Sequence, residues 1–195
     1  MEKPTFGFAM CGSFCTFRPA IDEMRRISDN GYPIIPIMSP NAFSTDTRFG
    51  RAADFVREVE NICGKKVIRT ISDAEPIGPK KMVDLMIVAP CTGNTLGKLA
   101  NGITDTSVTM AVKSCLRIGL PVLLAPATND ALAASAPNIG RLMNTKNLYF
   151  VPMRQDAPEK KPFSLVAEFS FILPAALAAL EGKQLRPVFL TCAGT

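Results

Sequence analysis

Short apolar runs alternate with segments of helical periodicity along the chain. The apolar runs predict six strands, at residues 5–10, 32–38, 67–71, 85–89, 122–125 and 148–152. Apolar residues at helical spacing predict intervening helices, over residues 19–29, 49–63, 94–101, 106–117 and 165–180. This alternation is typical of the α/β class. It predicts a single domain over residues 1–195, a Rossmann-like three-layer sandwich with a mostly parallel sheet.

The stretch from Val83 to Asp105 contains the corner that we expect to matter most. The buried run Leu85–Ala89 breaks at Pro90, and small or hydroxylated residues follow at 91–95. Open α/β sheets bind ligands at such corners, outside the carboxyl ends of their strands. Local chemistry leaves two interpretations equally open: a ligand-binding corner, or an ordinary connection between a strand and a helix.

A second corner follows the first predicted strand. Gly12 and Ser13 precede a helix and offer backbone N–H groups and a hydroxyl to a phosphate. The glycine spacing is not G-x-G-x-x-G, so the dinucleotide fingerprint is missing. The alternative is that Ser13 or Thr16 simply caps the helix.

Residues 39–47 form a polar segment after the second predicted strand. Ser39 and Thr45 are its candidates for contact with a phosphate or a substrate. Asp46 or Thr47 is the alternative, as the cap of the following helix. Both interpretations stay open, because one hydroxyl can cap a helix while another binds a ligand.

Composition narrows the function classes. The chain has 195 residues, 47% apolar residues and a net charge of +5, without the long basic runs of a nucleic-acid-binding protein. No apolar run spans a membrane and no signal peptide is expected, so we expect a cytoplasmic protein with reduced thiols. The six cysteines form no C-x-x-C pair and histidine is absent, which argues against a metal site and removes the usual general base.

The sequence at 90–105, PCTGNTLGKLANGITD, resembles the PASANT motif of the flavin-binding decarboxylase-like family. Matching positions include Pro90, Asn94, Thr95 and Lys98, while Cys91-Thr92-Gly93 replaces Ala-Ser-Ala. A second signature of this family resembles the segment from Pro126 to Leu132, with Thr128 and Leu132 in place of its methionines.

The resemblance implies an FMN site and the residues that form it. The implied cofactor-binding residues are Gly12, Ser13, Ser39, Thr45, Pro90, Thr92, Asn94, Thr95 and Lys98. Arg48, Asn129 and Arg141 are the candidates for substrate binding. The catalytic residue is unknown, with Asn129 and Cys91 as candidates. A small buried residue is the more common role of such a cysteine.

Three further blocks separate the chain from the decarboxylases: TDTRFG at 45–50, TKNLYFVP at 145–152 and QDAPEKKP at 155–162. They are similar to a spore-formation branch of the family. That resemblance implies work beside a separate dehydrogenase-like subunit, which together with this chain oxidises a dihydro precursor to a pyridine dicarboxylate. It also implies NADP in the complex, a small dicarboxylate substrate and a homo-oligomer.

Two other functions stay open from the sequence. The first is a non-catalytic subunit that binds substrate. The second is an independent FMN enzyme similar to a decarboxylase or prenyltransferase. We expect the loop 155–162, with Glu159, Lys160 and Lys161, to lie near the partner or at the mouth of the pocket. The apolar tail within 183–195 is expected to dock on a sheet edge or on another subunit.

Overall fold

Seven strands form one sheet in the computed structural model, which describes residues 3–191. The strands are β1 (Phe6–Met10), β2 (Ile34–Met38), β3 (Leu85–Cys91), β4 (Val122–Thr128), β5 (Leu148–Phe150), β6 (Met153–Arg154) and β7 (Leu165–Ala167). Strands β2, β1, β3, β4 and β5 are parallel neighbours in that order. The last two residues of β4, Ala127 and Thr128, pair with β7, which runs antiparallel to β4. Strand β6 pairs with the other edge of β7, also antiparallel.

Helices cover both faces of this sheet. They are α1 (Phe17–Asp29), α2 (Pro40–Ser44), α3 (Ala52–Cys63), α4 (Ile71–Ala74), α5 (Gly93–Ala100), α6 (Ser107–Arg117), α7 (Ala136–Met143) and α8 (Ile172–Leu180). Alternation along β1 divides the core: Phe6 and Phe8 pack with α1, α3 and α8, whereas Ala9 and Cys11 pack with α4 to α7. The predicted three-layer α/β sandwich is therefore confirmed. No helix within residues 3–191 is long and apolar enough to cross a membrane.

The strand order creates a reversal between β1 and β3. The chain passes from β1 to β2 on one side, then crosses to β3 on the other side. In such sheets the ligand crevice opens at the carboxyl ends of the two strands that flank the reversal. Here these ends are joined, because the amide of Cys11 donates a hydrogen bond to the carbonyl of Pro90 at 3.2 Å.

The central strand is longer than its apolar run predicts. It continues through Pro90 to Cys91, so the predicted break at Pro90 is wrong. The register to β4 shifts between Val88 and Cys91, and both of these side chains pack in the core on the α5 side. An extra residue in the strand thus keeps Cys91 buried and lets a proline remain within it.

Two other predictions are wrong for reasons of tertiary pairing. In the predicted strand at 67–71, only Ile68 forms a β-bridge, to Ile37. Helix α4 then begins at Ile71, with Thr70 as its N-cap. The predicted helix at 165–180 begins instead with strand β7, whose residues pair with Ala127 and Thr128. The α-helix starts only at Ile172, which places Pro174 in its first turn, where proline costs no hydrogen bond.

The last described part of the tail lies beside β6. Met153 donates its amide to the carbonyl of Val188 at 2.9 Å and accepts from the amide of Leu190 at 2.8 Å. Residues 192–195, including Cys192, lie outside the described part of the chain.

Candidate functional site

The corner after β1 is an irregular turn that leads through a short 3-10 segment into α1. The hydroxyl of Thr16 donates to the carbonyl of Ser13 at 2.8 Å and to its hydroxyl at 3.0 Å. Neither side chain accepts a hydrogen bond from the amides of the following helix, so capping does not explain these residues. A methyl group on Gly12 would have only ordinary contacts, with the ring of Phe14 at 3.5 Å and Cβ of Asn41 at 3.6 Å.

The corner after β3 is fastened to the corner after β1 by hydroxyl groups. Thr92 caps α5 by accepting from the amide of Thr95 at 3.3 Å, and the two threonine hydroxyls lie 3.1 Å apart. The Thr95 hydroxyl then donates to the sulfur of Cys11 at 3.2 Å. Because these two hydroxyls are engaged with each other and with Cys11, they hold the shape of the corner.

Cys11 and Cys91 form the buried floor below these hydroxyls. Burial raises the pKa of the Cys11 thiol to about 11, although hydrogen bonding with Thr95 and Thr92 and the charge of Lys98 act to lower it. Burial also raises the pKa of Cys91 well above its usual value. Both thiols are therefore neutral near pH 7, and Cys91 lacks the thiolate that a nucleophile requires.

Gly93 is the point where α5 meets the corner after β4. A methyl group there would lie 2.7 Å from the hydroxyl of Thr128, and 2.8 Å from both the carboxylate of Asp130 and the hydroxyl of Ser135. The Asp130 carboxylate accepts hydrogen bonds from Thr128 and Ser135. This cluster was not anticipated from the sequence. It explains why glycine occupies the third variable position of the PASANT-like motif.

A cavity of about 100 Å³ joins the corners after β1 and β4 to the loop 155–164. Its lining consists of Ser13, Cys15, Thr16, Ala127, Thr128, Asn129, Asp156, Lys161 and Val166. The structure thus brings together Ser13 and Asn129, two of the predicted site residues. Asn129 is exposed, and its side-chain oxygen lies 3.5 Å from the hydroxyl of Ser164.

The loop 155–164 closes one side of this cavity. Lys161 donates to the carboxylate of Asp156 at 2.7 Å, and Gln155 donates to the carbonyl of Pro162 at 2.9 Å. Desolvation raises the pKa of Asp156, but hydrogen bonds from Lys161 and Ser164 outweigh it and leave that pKa lowered. The pKa of Lys161 is raised by its hydrogen bond to Asp156. Both groups are therefore charged near pH 7.

The polar segment after β2 lies beside the same crevice. Ser39 caps α2 by accepting from the amide of Ala42 at 3.3 Å, and Thr45 is exposed at the end of that helix. Arg48 is exposed on a tight turn, with its guanidinium 4.9 Å from the ring centre of Phe49. Asp46, the alternative helix cap, accepts from the amide of Ala52 at the start of α3.

Three predicted residues on or near α5 have different surroundings. Asn94 is exposed on the first turn, where a ligand can reach its amide. Lys98 donates to both carboxylate oxygens of Asp105 at 2.8 Å. Arg141 bonds the carbonyl of Ala100 at 3.0 Å, at the far end of a helix about 12 Å long. Arg141 therefore does not line the cavity.

Four of the predicted site residues carry neutral or cationic groups of the kind that suits the phosphate of a mononucleotide. The Ser13 hydroxyl lines the cavity, and Thr45, Asn94 and Arg48 are exposed. Within residues 3–191, no group of three or more Cys, Asp or Glu side chains is arranged to hold a metal ion. A larger groove of about 1180 Å³ runs along β5, and its lining includes none of the predicted site residues.

Comparison with known proteins shows the family to which this chain belongs. The model of the Flavoprotein family matches residues 1–161. An FMN-dependent cysteine decarboxylase superposes with a TM-score of 0.68 over 92% of this chain and 98% of its own, at 21% identity, and so shares the fold. The chain belongs to the Flavoprotein family.

Two relatives are similar over almost their whole length. The B subunit of dipicolinate synthase from Bacillus subtilis (strain 168) is 41% identical over 190 residues, which cover 97% of this chain and 95% of that protein. The crystal structure of the dipicolinate synthase B subunit from Bacillus halodurans C superposes with a TM-score of 0.88, at 39% identity over 96% of both chains. Within its family the chain groups with the B subunits of dipicolinate synthase.

Proposed function

We propose that this chain acts as the B subunit of dipicolinate synthase, in the cytoplasm and during spore formation. It works with the dehydrogenase-like A subunit of dipicolinate synthase to oxidise a dihydrodipicolinate-type precursor to dipicolinate. The observation that carries the proposal is the 41% identity to the Bacillus subtilis protein, which extends over 97% of this chain and 95% of that protein. Similarity of this extent includes the corners and the loop that form the cavity.

The oxidation removes a hydride and a proton from the dihydropyridine ring. NADP takes the hydride and becomes NADPH, and the proton passes to solvent, so that the ring becomes aromatic. This chain lacks the G-x-G-x-x-G fingerprint, which favours a site for NADP on the dehydrogenase-like subunit. Aromatisation supplies the driving force, so positioning of the ring is the main demand on this chain.

We infer that this chain itself binds FMN, in the crevice between β1 and β3. Gly12 and Ser13 would contact the phosphate, with Ser39 and Thr45 beside it and Asn94 at the first turn of α5. Pro90, Thr92, Thr95 and Lys98 would shape and support this pocket, since their polar groups already have partners. FMN when bound would supply a flat, redox-active ring beside the substrate, and Arg48 and Asn129 would face the substrate next to it.

A second candidate function is a subunit that binds substrate without taking part in the chemistry. It is favoured by the neutral state of Cys11 and Cys91, together with the absence of histidine from the chain. Under either function we expect a homo-oligomer, because one structural neighbour is described as a dodecameric FMN-dependent decarboxylase.

The function is tested by assaying dipicolinate formation from the purified chain alone and after addition of NADP and the dehydrogenase-like subunit. We expect product only from the mixture. Equal rates with and without the dehydrogenase-like subunit would reject the proposal and favour an independent FMN enzyme. A visible flavin absorbance in the purified chain tests the FMN site separately.

A further inference from the structure

The basic side chains of the predicted site and of the loop 155–164 differ in whether they line the cavity. Arg48 stacks on the ring of Phe49, and Lys98 donates to both carboxylate oxygens of Asp105. Arg141 donates a hydrogen bond to the carbonyl of Ala100, at the end of α5. Lys160 is exposed and does not belong to the lining of the cavity. Lys161 is the cation in the lining of the cavity, which also includes Asn129 and, from the corner after β1, Ser13.

We propose that the cavity is a carboxylate subsite in which Lys161 binds one carboxylate of the dicarboxylate substrate and Asp156 occupies that position until the substrate arrives. The identity of the ligand rests on the proposed function. The existence of an anion-binding ammonium in this cavity rests on the structure of the loop 155–164.

The Asp156 side chain shows what the position accepts. Its carboxylate accepts a hydrogen bond from the ammonium of Lys161, with 2.7 Å between nitrogen and oxygen, and both residues line the cavity. A ligand carboxylate has the same charge and the same acceptor geometry, so it can take over the hydrogen bond without a new kind of contact. Asp156 is therefore a competitor for Lys161 in this arrangement, and its carboxylate must give way before the ligand carboxylate binds.

The remaining lining suits a carboxylate that is attached to a flat ring. Ala127 and Val166 provide apolar surface, while Ser13, Thr16 and Asn129 provide hydrogen-bonding groups. A volume of about 100 Å³ admits a carboxylate with the adjoining part of a ring, and is far below the few hundred Å³ typical of sites for larger ligands. The mononucleotide therefore belongs in the neighbouring crevice.

Exchange between the two carboxylates requires little rearrangement. The side chains of Lys161 and Asp156 are 47% and 30% exposed, so their ion pair lies in the range where net stabilisation is small. Two other hydrogen bonds hold the loop without using this ion pair. The amide of Lys161 donates to the carbonyl of Ala157 at 2.7 Å, and the side chain of Gln155 donates to the carbonyl of Pro162. The lysine side chain can therefore change partner while the loop stays in place.

Calorimetric titration of the purified chain with pyridine-2,6-dicarboxylate tests the subsite. We expect Lys161→Met to weaken binding about 10- to 100-fold, the loss of one charge-assisted hydrogen bond. Lys161→Arg should retain most of the affinity, since the charge is kept. Lys160→Met, in the adjacent exposed lysine, is the matched control and should bind like the wild type.

The place-holder role predicts a change of opposite sign at Asp156. Asp156→Asn removes the competing carboxylate and is expected to strengthen binding about 3- to 10-fold, which mere damage to the loop would not do. Glu159→Gln removes the same charge three residues away. It should have no effect if exchange at Lys161 is the cause, so it separates exchange from general electrostatics.

Several outcomes would overturn the subsite: no binding of pyridine-2,6-dicarboxylate to the wild-type chain, equal affinity in Lys161→Met and Lys160→Met, or weaker binding in Asp156→Asn. The proposed function is tested by turnover with the dehydrogenase-like subunit, and it fails separately. Normal turnover with an unaltered Lys161→Met affinity rejects only the subsite. Lys161-dependent binding without turnover in the wild-type mixture rejects only the function.

Discussion

The hydroxyl of Thr95 donates a hydrogen bond to the thiol sulfur of Cys11 at 3.2 Å, and so joins the helix after β3 to the end of β1. The two residues are 84 positions apart in sequence and both are buried. Their contact lies at the reversal of strand order, directly below the crevice. The floor of the candidate site is thus held by a hydrogen bond between the helix that follows β3 and the residue that follows β1.

Removal of this hydroxyl should loosen the floor of the crevice. We expect Thr95→Val to lower the free energy of unfolding by about 1 kcal/mol, the usual effect of one lost buried hydrogen bond. Thr95→Ser keeps the hydroxyl and is the matched control. Urea unfolding measures both variants, and a Thr95→Val protein as stable as the wild type would show that the contact contributes nothing.

Gly93 and Gly97 lie one turn apart on α5 and should respond oppositely to alanine. Gly93→Ala places a methyl group 2.7 Å from the Thr128 hydroxyl and is expected to destabilise the fold by roughly 1–3 kcal/mol. Gly97→Ala meets only the Asn138 amide at 3.5 Å and should stabilise by about 0.5–1 kcal/mol, because alanine favours a helix. Thermal unfolding distinguishes them, and equal melting temperatures would contradict the close approach at Gly93.

Glu58 links α3 to α1 through Arg18 at 2.7 Å and Arg25 at 2.9 Å. The hydrogen bond from Arg18 is the largest cause that lowers the pKa of this carboxylate in the folded chain. A lowered folded pKa means that the stabilisation is present above the unfolded pKa and is lost as the pH falls through the folded pKa.

Glu58→Gln should therefore cost about 1 kcal/mol at pH 7 and much less at an acidic pH below the folded pKa, where the wild-type carboxylate is protonated. Chemical unfolding at the two pH values measures this difference. A cost that is the same at both values would indicate that the carboxylate charge is not what stabilises the contact.

Much of the fold follows from local pattern. The parallel strands and most helices occur where apolar runs and helical stripes predict them, because each must bury one side against a layer of the sandwich. Strand β7 was missed because its residues also fit a helical stripe. Its pairing with Ala127 and Thr128 decides the outcome, and such pairing is not visible in the local sequence.

The site was predictable where the chain places chemistry at strand ends. Ser13 and Asn129 meet in one cavity, because the corners that follow β1 and β4 lie at the same edge of the parallel sheet, on either side of β3. The partners of Lys98 and Arg141 were not predictable, since a long side chain can reach several positions and its partner depends on packing. The Asp130 cluster depends on the close approach of Gly93, and the Asp156–Lys161 pair depends on the conformation of a loop. Neither feature produces a periodic signal in the sequence.

Asn129 is exposed and lines the cavity, and in the proposed function it faces the substrate. The most direct test is the rate of dipicolinate formation by Asn129→Ala with NADP and the dehydrogenase-like subunit, together with its melting temperature. Asn144→Ala, an exposed asparagine at the far end of α7, is the control. We predict at least a roughly tenfold lower rate for Asn129→Ala, the cost of about 1.4 kcal/mol of transition-state binding, with a melting temperature close to that of the wild type. Full activity per folded molecule combined with a large fall in melting temperature would contradict the account.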